Sequence, residues 1–159
     1  MTPIMLSESE QAIAQYLATA RTVSNRTGGI ANKRVGPQSD ELTDLNGIGG
    51  ELAFCRLVNV WPDVSISPRK GGADCLVRDK RVDVKTTTYE TGRLVVVPGK
   101  GREDADIYVL MVGTFPGPYR VAGWAYASEV LMAERLTDLG HGPTYAVPQD
   151  ELRAWSTRA

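Results

Sequence analysis

The segment best equipped for chemistry runs Gly72-Ala73-Asp74-Cys75-Leu76-Val77-Arg78-Asp79-Lys80-Arg81-Val82-Asp83-Val84-Lys85. Asp83 and Lys85 stand one residue apart among β-branched and apolar neighbours, which predicts a strand. Side chains alternate along a strand, so Asp83 and Lys85 share one face and Val82 and Val84 the other, toward a core. Asp74 opens a second predicted strand. The short polar link 78–81 folds the two into a hairpin, which brings Asp74 near Asp83. Two adjacent carboxylates repel unless a cation lies between them. A hard divalent ion with oxygen ligands, Mg²⁺ in particular, suits such a pair. An Asp-x-Lys segment alone reads as a solvated ion pair; the interior character of the strand and the second acid favour the metal site.

The elements that must position these residues follow from periodicity and breakers. Residues 7–23 predict a helix, with Ser7 as N-cap, Glu8 and Glu10 in its first turn, and Ile13, Tyr16, Leu17 and Ala20 at helical spacing. The Gly-, Asn- and Ser-rich stretch that follows predicts an exposed loop or arm. Residues 1–40 are thus expected as an N-terminal helix and flexible arm, and 41–159 as the core. A second helix is expected from 44–49 to about 60, ended by Trp61-Pro62. Strands are expected at 64–67, 73–78, 81–88, 93–97, 107–115, 119–125 and 145–147. The apolar run 107–115 reads as a buried central strand. Helices are expected at 128–136 and 149–155. The order implies an α/β fold, a mixed sheet flanked by helices.

The ordered set of acids and lysine resembles the PD-(D/E)XK nuclease superfamily, across roughly residues 44–136. Asp74 matches the first acid, Asp83 the second and Lys85 the lysine. Gly49-Gly50-Glu51-Leu52-Ala53 is similar to the preceding helix, on which the family often adds a glutamate, here Glu51. Ala73 stands where the family usually draws a proline. The resemblance implies a restriction-endonuclease-like core and Mg²⁺-dependent hydrolysis of phosphodiester bonds, with Mn²⁺ able to substitute. It implies that Asp74, Asp83 and the carbonyl of Val84 bind the ion, that Glu51 binds it through water or helps a second ion, and that Lys85 orients or activates the attacking water and offsets charge developing in the transition state. The implied substrate is DNA, with structured or branched DNA a candidate. Stand-alone members include phage-type nucleases, junction resolvases and restriction enzymes. Many act as dimers, so a homodimer is a candidate assembly.

Other residues have weaker claims. Arg69, Lys70, Thr87, Lys100 and Arg102 are candidate phosphate contacts. Thr86–Thr88 and Asp79 also fit simple strand and turn preferences, and Asp104 and Asp106 fit strand flanks. His141 is the only histidine, which disfavours a multi-histidine metal site. Trp61, Trp124 and Trp155 are expected in packing. Cys55 and Cys75 form no recognisable zinc pattern and are expected as buried thiols in a reducing compartment.

The bulk numbers bound these expectations. The chain has 159 residues, the size of one domain. Eighteen Lys and Arg against 19 Asp and Glu argue against a basic coat for nonspecific nucleic-acid binding. There is no apolar run of transmembrane length and no basic-then-apolar leader, so a cytoplasmic protein without a membrane span is expected. Two further readings compete: a non-catalytic nucleic-acid-binding or protein-interaction module on the same fold, and an α/β protein in which Asp74, Asp83 and Lys85 form only a structural ion-pair network.

Overall fold

The computed structural model describes residues 1–27, 39–66 and 72–156. Helix α1 spans Glu8–Thr27 and α2 spans Asp40–Val58. Strands β1 (Cys75–Val77), β2 (Lys80–Thr87), β3 (Leu94–Val96), β4 (Ile107–Val112) and β5 (Arg120–Tyr126) follow. The one-turn helix α3 (Ala127–Val130) and strands β6 (Leu136–Asp138) and β7 (Pro143–Val147) complete the elements. The result is a mixed α/β fold. A four-stranded sheet has the order β1-β2-β4-β5, and a three-stranded sheet the order β3-β7-β6. In the larger sheet β2 and β4 run parallel and the two outer pairs antiparallel. Parallel neighbours need a long crossover, and residues 88–106 supply it by way of β3 in the other sheet.

Local chemistry explains the element ends. Ser7 Oγ accepts from the Glu10 N–H, and Glu10 Oε2 accepts from the Ser7 N–H, a reciprocal cap at the start of α1. Ser39 caps α2 by accepting from the Leu42 N–H, so that helix begins earlier than its apolar pattern implies. It ends at Asn59, which is left-handed, before Trp61-Pro62 is reached. Arg78 and Asp79 both take positive φ, 48° and 64°, which closes a tight hairpin between β1 and β2.

The main sheet packs differently on its two faces. Val82, Val84, Val109 and Met111 join Leu17, Ala18, Ala53 and Phe54 beneath α1 and α2. Tyr108, Leu110 and Ala125 join Leu94, Val96 and Val147 of the smaller sheet, together with Val130 of α3. Asp83 pairs with Tyr108 and Lys85 with Leu110 in register, so the two charged residues lie on the face toward the smaller sheet. The N-terminal helix belongs to the first core. Its buried face is Ala14, Leu17, Ala18 and Arg21, whereas Ile13 and Tyr16 are exposed. Small residues let α1 lie close on α2, which turns the buried stripe away from the larger side chains. Residues 28–38, most of the expected arm, lie outside the described residues.

Four expectations need correction. Residues 64–66 form no strand; Arg21 takes the carbonyls of Asp63 and Ser65, and Asp63 Oδ1 takes the Ser65 N–H and hydroxyl, so these groups serve side chains instead of a ladder. The helix expected at 128–136 is one turn of α3, then a 3₁₀ turn at Ala133–Arg135 and the unforeseen strand β6, drawn out by pairing with β7. The last helix is only a 3₁₀ turn at Gln149–Glu151, because Arg153 pairs with Trp124 as an isolated bridge. Trp61 is 80% exposed, not packed. Among the described residues no helix is long and apolar enough to cross a membrane.

Candidate active site

Strand β2 delivers Asp83 and Lys85 to one place. Asp83 is 2% exposed. Lys85 Nζ lies 2.5 Å from Asp83 Oδ1, a close ion pair. The same ammonium stands 5.9 Å from the ring centroid of Tyr108.

Asp74 reaches the strand from its edge. Its N–H donates to the Val82 carbonyl at 2.8 Å, which carries the β1–β2 ladder one step beyond β1. Its Oδ2 then accepts from the Val84 N–H at 2.7 Å, within the buried interior. On β2 the carbonyls of Arg81 and Thr87 receive N–H groups of Asp106 and Gly113, on the β4 side, and the Val82 carbonyl serves the β1 side. This alternation directs the backbone groups of Val84 toward Asp74. The charge on Lys85 registers the convergence. Burial works against its ammonium, but Asp83, then Asp74, then Glu51 outweigh it and hold the group above the ordinary lysine value.

Glu51 comes from α2 and is held by α1. Arg21 Nη1 lies 3.3 Å from Glu51 Oε2, with the two side chains 10% and 16% exposed. In the sequence Arg21 is one of several basic residues of the N-terminal part, a patch that could meet phosphates; in the structure it is buried. The double glycine before Glu51 has a steric reason. A methyl on Gly49 would strike the Tyr119 hydroxyl, and one on Gly50 would strike the Thr86 hydroxyl. Bare backbone at 49–50 is what lets α2 bring Glu51 down onto the sheet.

The loop before β4 supplies Lys100, whose Nζ lies 3.9 Å from Asp83 Oδ2. The sequence offered this lysine as a candidate phosphate contact, with no sign of its place beside Asp83. Arg102 is exposed on the same loop. Thr87 Oγ1 accepts from the Tyr89 N–H. Arg69 and Lys70 lie outside the described residues. Asp106 flanks the site as a strap: its two oxygens take the Arg81 N–H, Nε and Nη2 at 2.9, 3.2 and 2.9 Å, and this pairing draws its carboxyl down to about 2. Tyr108 was not foreseen. Its hydroxyl is buried without a hydrogen-bond partner among the described residues, and burial followed by the charge of Asp83 pushes it up. His141 is exposed. Cys55 and Cys75 are free and buried; the thiol of Cys75, then burial, push the Cys55 thiol up.

The fit to a divalent ion is specific in its terms. Among the described residues no group of three or more His, Cys, Asp or Glu side chains is close enough to hold a metal. Arg21 already offsets Glu51, and Lys85 and Lys100 offset Asp83. What fits is a smaller set: the two buried carboxylates of Asp74 and Asp83, with the backbone of Val84 directed toward Asp74. Mg²⁺ keeps several waters and needs only one or two carboxylates, so this donor set suits it.

Comparison of the chain with protein-family models, with curated proteins and with solved structures yields no match.

Proposed function

We propose that the chain is a divalent-metal-dependent nuclease with a restriction-endonuclease-like core, hydrolysing phosphodiester bonds in DNA. The observation that carries this reading is the seat of Asp74 on the N–H of Val84, the residue that separates Asp83 from Lys85 on β2. An acid on a neighbouring segment thus bonds to the strand that carries the acid and the lysine, and the charge of a glutamate on α2, the helix packed on the other face of the sheet, also reaches that lysine. A constellation held by strand geometry is suited to catalysis.

A bound Mg²⁺ or Mn²⁺ supplies Lewis-acid polarisation of the phosphate and a water of lowered pKa. Asp74, Asp83 and the Val84 carbonyl would hold it, with Glu51 reaching it through water. Lys85, beside Asp83, would orient or activate the attacking water and offset negative charge developing on the phosphorane-like transition state. Thr87, Lys100 and Arg102 are the described candidates for phosphate contacts, with Arg69 and Lys70. Cutting both strands of a duplex with one site per chain calls for two copies, so a homodimer acting on duplex or branched DNA belongs to the proposal.

A second reading, a nucleic-acid-binding module that does not cut, draws support from the cationic side chains already seated on Glu51 and Asp83. Incubation with plasmid, single-stranded and branched DNA in Mg²⁺ and in Mn²⁺ separates the two. The nuclease reading expects cleavage that Asp83→Ala abolishes while the variant stays folded. A folded wild type that binds these DNAs and cuts none in either metal overturns it.

A further inference from the structure

The position of Lys100 is unusual for a loop lysine. Its side chain is only 18% exposed, and it addresses Asp83 Oδ2 while Lys85 addresses Oδ1. The loop that carries it is anchored on both sides. The Gly101 N–H donates to Asp104 Oδ2 at 2.8 Å, and the guanidinium of Arg81 takes the carbonyls of Arg102 and Glu103. Arg81 in turn is gripped by Asp106. Since Arg81 lies on β2 two residues before Asp83, the loop is tied to the strand that carries the acid. Beside Asp83 in the strand register, Tyr108 holds its buried hydroxyl without a hydrogen-bond partner among the described residues.

One ammonium is enough to neutralise one carboxylate. Lys85 lies on the same strand and stays there whatever binds. Lys100 is the more distant of the two and sits on a loop. A divalent ion on Asp83 would stand next to both, and at such separations like charges repel strongly wherever water is excluded. A phosphodiester arriving with the ion brings the anion that relieves this repulsion.

We propose that Lys100 is an exchangeable counter-ion of Asp83, seated on that carboxylate when no cation is bound and transferred to a substrate phosphate when a divalent ion takes its place. This rests on the metal-dependent reading above. Its consequence is cooperativity. Metal binding frees Lys100 for the phosphate, and the phosphate holds Lys100 away from Asp83, so each ligand strengthens the other by the same factor. A residue that merely shaped the loop would produce no such coupling.

The test is Mn²⁺ affinity by titration calorimetry, with and without a phosphorothioate DNA duplex that resists hydrolysis, for wild type, Lys100→Met and Lys100→Arg. With its competitor removed, Lys100→Met is expected to bind Mn²⁺ alone more tightly, on the order of fivefold, and to lose most of the gain that DNA confers. Lys100→Arg keeps the charge and is expected to follow wild type. If Lys100→Met does not fold, Lys100→Gln is judged by the same criteria. A wild type that binds Mn²⁺ and cuts DNA, beside a folded Lys100→Met with the same Mn²⁺ affinity and the same gain from DNA, overturns the inference alone. A wild type that neither binds Mn²⁺ nor cuts overturns the nuclease reading and this inference with it.

Discussion

The carboxylate of Asp74 is hydrogen-bonded to the backbone of Val84, 2.7 Å from its nitrogen and ten residues away in the chain. That contact brings a second acid to the strand that carries Asp83 and Lys85, near enough for its charge to act on the Lys85 ammonium. It also separates charge from shape. An asparagine could accept the same hydrogen bond through its amide oxygen but would bring no charge.

Asp74→Asn is therefore expected to fold with a smaller loss of Tm than Asp74→Ala, since it keeps the hydrogen bond and gives up only the attraction that its charge exerts on the Lys85 ammonium. DNA cleavage is expected to fall by about 100-fold or more. Asp74→Ala removes the acceptor as well and is expected to cost about 1–3 kcal/mol, the penalty for depriving a buried N–H of its partner. Urea unfolding and plasmid cleavage on both variants check the pair. A similar loss of stability in both would mean that the charge itself is structural.

Arg21 ties α1 to the site through Glu51 and the carbonyls of Asp63 and Ser65. Arg21→Met is expected to destabilise by about 3 kcal/mol, because it leaves a largely enclosed carboxylate without this cation. Adding Glu51→Gln is expected to recover part of the loss, a coupling that a double-mutant cycle in urea measures directly. Additive losses would show that Glu51 draws no stability from Arg21.

Gly50→Ala sets a methyl against the Thr86 hydroxyl and Cβ. About 1–3 kcal/mol of destabilisation is expected from this overpacking, and the lift of α2 carries Glu51 off the sheet. In a Thr86→Ala background the same change is expected to cost less, since its obstacle is gone. Equal costs in both backgrounds, measured by chemical denaturation, would refute the close-approach account of this glycine.

The parts of this arrangement that the sequence disclosed are those governed by short range. Alternation along residues 82–85 put Asp83 and Lys85 on one face and the valines on the other, and the structure has them so. The polar link 78–81 foretold the hairpin, and Ser7 foretold the cap of α1. What stayed hidden depends on partners distant in the chain. Arg21 became a site residue because α1 packs on α2. Lys100 turned inward because Arg81 and Asp104 fix its loop. Strand β6 exists through pairing with β7, and its three residues are all exposed, so it carries no hydrophobic signature. Tyr108 read only as one apolar residue in a buried run, with nothing to say that its hydroxyl would end beside Asp83.

The Arg81–Asp106 strap gives the fold an acid-sensitive point. Asp106 falls from an ordinary 3.8 to about 2, chiefly through its bonds to Arg81. A carboxyl depressed on folding contributes stability that is complete above its unfolded value and is lost as pH falls through the folded one. Wild type is thus expected to lose Tm more steeply than Asp106→Asn between about pH 4 and pH 2, with the two curves parallel above pH 5. Calorimetric scans across that range check this. Curves parallel throughout would mean that the strap carries no pH-linked stability.

The claim on which the rest depends is that Asp74 and Asp83 hold a divalent ion at the edge of β2. Anomalous diffraction from crystals soaked in Mn²⁺ addresses it directly. The account expects one strong peak within coordination distance of both carboxylates and the Val84 carbonyl, with Lys85 beside it, and no such peak in Asp83→Asn. Saturating Mn²⁺ with no density between these two acids, or with an ion bound only elsewhere, would contradict it.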